Sequence, residues 1–101
     1  MALTKIQLSE LLQVYAEMLT EKQRVALSMY CDCDCSLSEI ATETGISRQG
    51  VRDAIVKGET TLLKLEEALR LAELYRKLSV ALQQQNKDEV FEIAATFVAK
   101  E

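Results

Sequence analysis

Apolar residues recur along this chain three and four apart, the spacing of one face of a helix. Over roughly residues 5–18 the stripe is Ile6, Leu8, Leu11, Leu12 and Tyr15, with Leu19 just beyond. Thr4 with Gln7 three residues on has the form of a capping box, in which two side chains satisfy backbone N–H groups at a helix start. Thr20 with Gln23 opens a second helix in the same way, with Val25, Ala26, Met29 and Tyr30 as its expected buried positions. A Cys/Asp turn follows at 31–35. Ser36 with Glu39 is a third box, and Leu37, Ile40 and Ala41 then fall on one face. Gly45 stands where that helix must stop, because glycine tolerates the left-handed conformation of such a stop. Ser47 caps the next helix, which Val51 and Ile55, four apart, bury against its predecessor.

Beyond Ile55, Gly58 either ends that helix or sits inside a longer one at a cost of about 1 kcal/mol relative to alanine. Residues Thr60–Gln84 are strongly helical in pattern, with one stripe of Leu62, Leu65, Leu69 and Ala72 and a second of Leu71, Leu74, Leu78 and Leu82. Two stripes on one helix call for two partners. Gln83, Gln84, Gln85 and Asn86 form a polar connector, and Asn86 with Glu89 opens a last helix whose apolar face is Val90, Phe91, Ile93, Ala94, Phe97 and Val98. The expected organisation is a helix-turn-helix domain over 1–84 that includes the long Leu-rich helix. Residues 85–101 form a C-terminal helix packed on that domain or on a dimer mate.

Composition agrees with the pattern. The 101 residues suit one domain, 49% of them are apolar, and there is no proline and only three glycines. The fold class is therefore all-α, a bundle joined by short turns.

Residues 36–55 read as a helix-turn-helix: Ala41 is small where two helices cross, Ile46 plugs the turn, and Arg48, Gln49, Arg52 and Asp53 are left on the outer face of the second helix. That face is where a recognition helix meets the major groove. The spacing resembles region 4 of bacterial sigma factors, with its Leu-x-Glu-Ile-Ala … Gly-(Ile/Val)-Ser-Arg-x-x-Val-Arg pattern. With the flank Leu19-Thr20-Glu21-Lys22-Gln23-Arg24, the segment Ser47-Arg48-Gln49-Gly50-Val51, and the Leu-rich helix carrying Tyr75, the chain looks like the small bacterial YlxM family. This family is also called the p13 family of signal recognition particle-associated proteins. The resemblance covers roughly residues 8–80. It implies an all-helical, sigma-region-4-like helix-turn-helix fold and, from the position of the family's genes, a role in the signal recognition particle pathway.

Charge refines this picture. The whole chain carries −4, unlike most non-specific nucleic-acid binders. Across 46–57, however, Arg48, Arg52 and Lys57 stand against Asp53 alone, a local +2. Arginine reads guanine, glutamine reads adenine, and Asp53 either repels phosphate or reads cytosine. Ser47 and the free N–H groups of the first turn can hold a phosphate, and Lys22, Arg24 and Lys57 can add backbone contacts. Gly50 lacks a side chain that would reach a base.

Other chemistry is sparse. Cys31, Cys33 and Cys35 alternate with Asp32 and Asp34, but no fourth cysteine and no histidine exists to complete a structural zinc set, so a turn with free thiols is expected and no metal. No nucleophile–base pair or Gly-rich phosphate loop is present, which argues against an enzyme and against a cofactor. No run of about 20 apolar residues marks a membrane span, and Met1–Lys5 lacks a signal-peptide core, so a cytoplasmic protein without a membrane partner is expected.

The function expected is that of a small regulatory protein that binds DNA through Ser47, Arg48, Gln49, Arg52, Asp53 and Lys57, as a homodimer joined through Leu71, Leu74, Leu78, Leu82, Phe91 and Phe97. The alternatives are modulation of the signal recognition particle through its RNA or protein, as the resemblance implies, and a protein-interaction adaptor that binds no nucleic acid.

Overall fold

In the computed structural model, which describes residues 2–99, the chain is all-α and no strand occurs among the described residues. Six helices follow one another: α1 (Lys5–Tyr15), α2 (Glu21–Cys31), α3 (Leu37–Thr44), α4 (Arg48–Leu69), α5 (Leu71–Gln83) and α6 (Lys87–Ala99), with a 3₁₀ turn at Ala16–Met18. They form two compact units that divide between Leu69 and Arg70. The boundary expected at 84/85 falls between α5 and α6, inside the second unit.

Local chemistry sets the helix starts of the first unit. Thr4, Thr20 and Ser36 each accept a hydrogen bond from the backbone N–H three residues on, and Gln7, Gln23 and Glu39 each accept one from the cap residue's own N–H. These are three complete capping boxes, each satisfying two orphan donors. α4 is the axis of this unit: α1, α2 and α3 all pack on it, and α2 also packs on α1 and α3. The core is aliphatic apart from Tyr15 and the buried Glu59, whose Oε1 accepts from the Ala2 and Leu3 N–H groups at 2.7 and 3.2 Å. Leu8, Leu27, Ile40, Val51, Ile55 and Leu62 are fully buried, and Tyr15 donates its hydroxyl to Glu66 Oε1 at 2.6 Å.

Several positions differ from the sequence pattern, each for a geometric reason. Ile6 is 74% exposed, because it precedes Leu8 by two residues and so stands about 200° around α1 from the buried stripe. On α2 the buried pair is Ala26 and Leu27; Val25 is exposed, and Met29 and Tyr30 are half-buried. α2 touches three helices, so its buried surface does not follow a single stripe. Gly58 does not end the recognition helix: α4 runs through it for 22 residues. A Cβ built there would lie 2.6 Å from Leu27 Cδ1, so α4 passes close against α2 at Gly58.

The uninterrupted helix expected over 60–84 is two helices. Arg70 adopts φ 54°, ψ 31°, a left-handed conformation that stops α4 and starts α5. That conformation costs a residue with a Cβ about 1–2 kcal/mol. In the second unit α5 and α6 pack on each other as a helical hairpin. α5 ends in a Schellman motif: Gln85 has φ 54°, Asn86 N–H donates to Ala81 O at 3.0 Å, and Gln85 N–H donates to Leu82 O at 3.0 Å. Asn86 Oδ1 then accepts from the Glu89 N–H at 3.0 Å and caps α6, while the Asn86 side-chain amide donates to the Glu89 carboxylate at 3.1 Å.

Candidate nucleic-acid interface

The site is built by the turn between α3 and α4. Gly45 has φ +73°, and its N–H returns to Ala41 O at 3.0 Å. Thr44 Oγ1 donates to Ile40 O at 2.7 Å and closes the end of α3. Ile46 is half-buried in the angle between the helices, where with Val25, Ala26, Ile40 and Thr44 it lines an open groove of about 280 Å³. Ser47 Oγ accepts from Gly50 N–H at 3.0 Å, which caps α4 as the sequence predicts.

α4 then turns its apolar side inward. Val51 and Ile55 are fully buried and Ala54 nearly so. Ser47, Arg48, Gln49, Arg52, Asp53 and Lys57 are all exposed. At about 100° per residue, Gln49 and Asp53 occupy the middle of the outer face, Arg48 and Arg52 one flank, and Lys57 the other. Positive charge therefore straddles a polar centre. Among the described residues, the side chains of Arg48, Arg52 and Lys57 have no carboxylate partner.

Two details were not legible in the sequence. Gln49 Nε2 donates to Asp53 Oδ1 at 3.0 Å. Asp53 is thus not a bare anion on the contact face; it holds the Gln49 amide, leaving Gln49 Oε1 and the second amide hydrogen outward. Gly50 is half-buried, and a Cβ on it would stand 2.8 Å from Ile46 Cγ2, 3.1 Å from Ser47 Oγ and 3.9 Å from Lys22 Nζ. Its role is close fit: the bare backbone lets Ile46 and Ser47 fold back on the first turn. The same distances place the Lys22 ammonium beside the start of α4. Arg24, two residues along α2 and so on its other side, lies instead 4.0 Å from the Glu17 carboxylate.

The Cys/Asp turn lies apart from this face and is tied to α1. Asp34 pairs with Lys5, whose ammonium also lies 4.7 Å from the centre of the Tyr30 ring, and Asp32 accepts from Ser9 Oγ at 2.6 Å. The Lys5 ammonium holds the Asp34 carboxyl below its ordinary value. Burial, followed by the nearby Asp32 charge, raises the Cys31 thiol to about 11. Among the described residues no group of three or more His, Cys, Asp or Glu is placed to hold a metal ion. No helix is long and apolar enough to cross a membrane, also among the described residues.

This geometry has relatives. The family model for UPF0122, a helix-turn-helix family described as YlxM / p13 like, matches residues 3–97. The chain belongs to this family. It is 48% identical over 69 residues to a UPF0122 protein of Clostridium kluyveri, a match covering 68% of this chain and 62% of the relative. To a UPF0122 protein of Mycoplasma capricolum subsp. capricolum it is 47% identical over 66 residues, covering 65% and 58% respectively. Identity to a UPF0122 protein of Halalkalibacterium halodurans is 43% over 79 residues, covering 78% and 72%. The chain thus spans about three-fifths of the length of the relatives it matches first. No solved structure matches it. The helix-turn-helix that the family description names is the α3–turn–α4 element described above.

The apolar residues expected at a dimer interface lie in the second unit. Leu71, Leu74 and Leu78 are half-buried, whereas Leu82, Phe91 and Phe97 are exposed.

Proposed function

We propose that this UPF0122 protein is a DNA-binding regulator that lays the N-terminal half of α4 in the major groove. One observation carries this reading: the first turns of α4 project an exposed polar face, flanked by Arg48, Arg52 and Lys57 without carboxylate partners, from a capped helix-turn-helix. Gln49, held by Asp53, and Arg52 beside it address base edges. Arg48, Lys57, Lys22 and the capped start of α4 address phosphates. A single recognition helix makes few contacts, and the net charge of −4 opposes binding at long range. A homodimer that presents two such helices overcomes the first limit, and the exposed apolar side chains of the second unit supply a surface for it.

The test is fluorescence anisotropy with a duplex chosen by selection from a random library, across a salt series. Arg52→Ala is expected to lose about 1–3 kcal/mol of preference for the selected site over a scrambled one. Lys57→Ala is expected to weaken both duplexes alike and to flatten the salt slope by about one. An Arg48→Ala/Arg52→Ala variant that binds both duplexes like the wild-type protein would refute the reading. Signal recognition particle RNA, run as a third ligand, addresses the pathway implied by the family resemblance: tighter binding to that RNA than to the selected duplex would move the function there.

A further inference from the structure

α6 has an apolar face with nothing on it. Val90 and Ile93 are half-buried, and with Phe97, 38% exposed, they share one side of the helix, which packs on α5. A second stripe of Phe91, Ala94, Ala95 and Val98, at i, i+3, i+4 and i+7, is exposed along its whole length, Phe91 by 75% and Val98 by 62%. No charged residue occurs from Ile93 to Ala99. Asp88, Glu89 and Glu92 are all confined to the N-terminal half of α6. The apolar arc of α6 is therefore wider than its contact with α5 covers.

We infer that α6 is the seat of a two-fold, antiparallel homodimer contact, in which the two copies cross at Ala94 and Ala95 and Phe91 of each packs against the partner subunit's Val98. This inference rests on the homodimer reading above and supplies its geometry.

Three observations favour a second copy of α6, reversed, as the occupant. An isologous interface requires a surface that maps onto itself when turned over. The stripe reads bulky, small, small, bulky in either direction, so reversal exchanges Phe91 with Val98 and Ala94 with Ala95. The two alanines at its centre let the helix axes approach to the near end of the usual spacing. Charge then selects the direction. A parallel copy would set Asp88, Glu89 and Glu92 beside the same three acids. An antiparallel copy sets each acidic half, net −2 with Lys87 included, against a half of no net charge and opposes the two helix dipoles. Finally, units below about 40 residues rarely hold together without help such as oligomerisation. The hairpin of α5 and α6 is below that size, and Ala72 and Ala81 are its only buried described residues.

The test uses the whole chain with Cys31, Cys33 and Cys35 replaced by serine, so that introduced thiols are the only ones. Sedimentation equilibrium is expected to give a dimer. Phe91→Asp, which places a charge in the contact, is expected to raise the dissociation constant by about tenfold or more at unchanged helical circular dichroism. Phe91→Cys and Val98→Cys proteins, mixed and oxidised gently, are expected to give mainly the mixed 91–98 disulfide. A dimer whose disulfides join 91 to 91 and 98 to 98 would overturn the antiparallel contact while leaving the homodimer reading intact. A dimer unaffected by Phe91→Asp would move the contact off α6. A monomer up to about 0.1 mM would overturn both the contact and the homodimer reading, and the stripe would then be covered within one chain.

Discussion

Single atoms decide two positions on which this site depends, and both are glycines within α4. At Gly58 a missing methyl group lets α4 seat against Leu27, which is fully buried and has little room to move. Gly58→Ala gains helix propensity, about 1 kcal/mol, but overpacks a close crossing, which typically costs about 1–3 kcal/mol. The expected net effect is a loss of about 1 kcal/mol in urea unfolding, part of which Leu27→Val restores in the double variant. A Gly58→Ala protein more stable than the wild type would show that the crossing has slack. Gly50 works alike at the start of the helix, where its bare backbone lets Ile46 and Ser47 close the turn. Asp53 belongs to this scale too: beside Gln49 it is a positioning group for an amide, a role that its charge alone does not disclose.

At the scale of elements, caps are the most legible features of the chain. Each of the three boxes needs only residues three apart, and all three form as the sequence predicts. The box of α3 also has a pH signature. The Ser36 backbone N–H, donating to the Glu39 carboxylate, holds that carboxyl below its ordinary value of 4.5. A carboxyl lowered on folding stabilises the protein fully above its unfolded value, and that contribution is lost as pH falls through the folded one. Glu39→Gln keeps an acceptor oxygen but cannot titrate. The stability difference between wild type and Glu39→Gln is therefore expected to shrink as pH is lowered from neutrality to about pH 3, measured by thermal melts. A difference independent of pH would mean that the carboxylate does not serve the cap. The break at Arg70 was not legible, because no glycine, proline or asparagine marks the left-handed position. The Leu stripes run on across it as if one helix continued.

At the scale of the whole molecule, burial is uneven. The first unit holds seven large fully buried side chains, from Leu8 to Leu62, whereas among the described residues of the second unit only alanines are buried. Sparse burial lowers the free energy of local opening. Amides of α5 and α6 are expected to exchange with deuterium markedly faster than those of α1, α2 and α4. If α6 pairs with its copy, the protection of α6 rises with protein concentration by mass action. Equal protection across all six helices would contradict this division of stability.

The sequence by itself determined what local spacing can encode: an all-α chain, the three capping boxes, the glycine turn at Gly45, the inward Val51 and Ile55, and the outward set from Ser47 to Lys57. Each depends on residues a few positions apart and on the fixed period of the helix. Tertiary structure decided what depends on a neighbour from elsewhere in the chain. It settled the course of α4 through Gly58 against Leu27, the burial of Leu27 in place of Val25, the approach of Lys22 to the start of α4, and the tethering of Asp32 and Asp34 to α1. The physical reason is that periodicity states which side of a helix is apolar, while only packing states which helix meets that side and how closely.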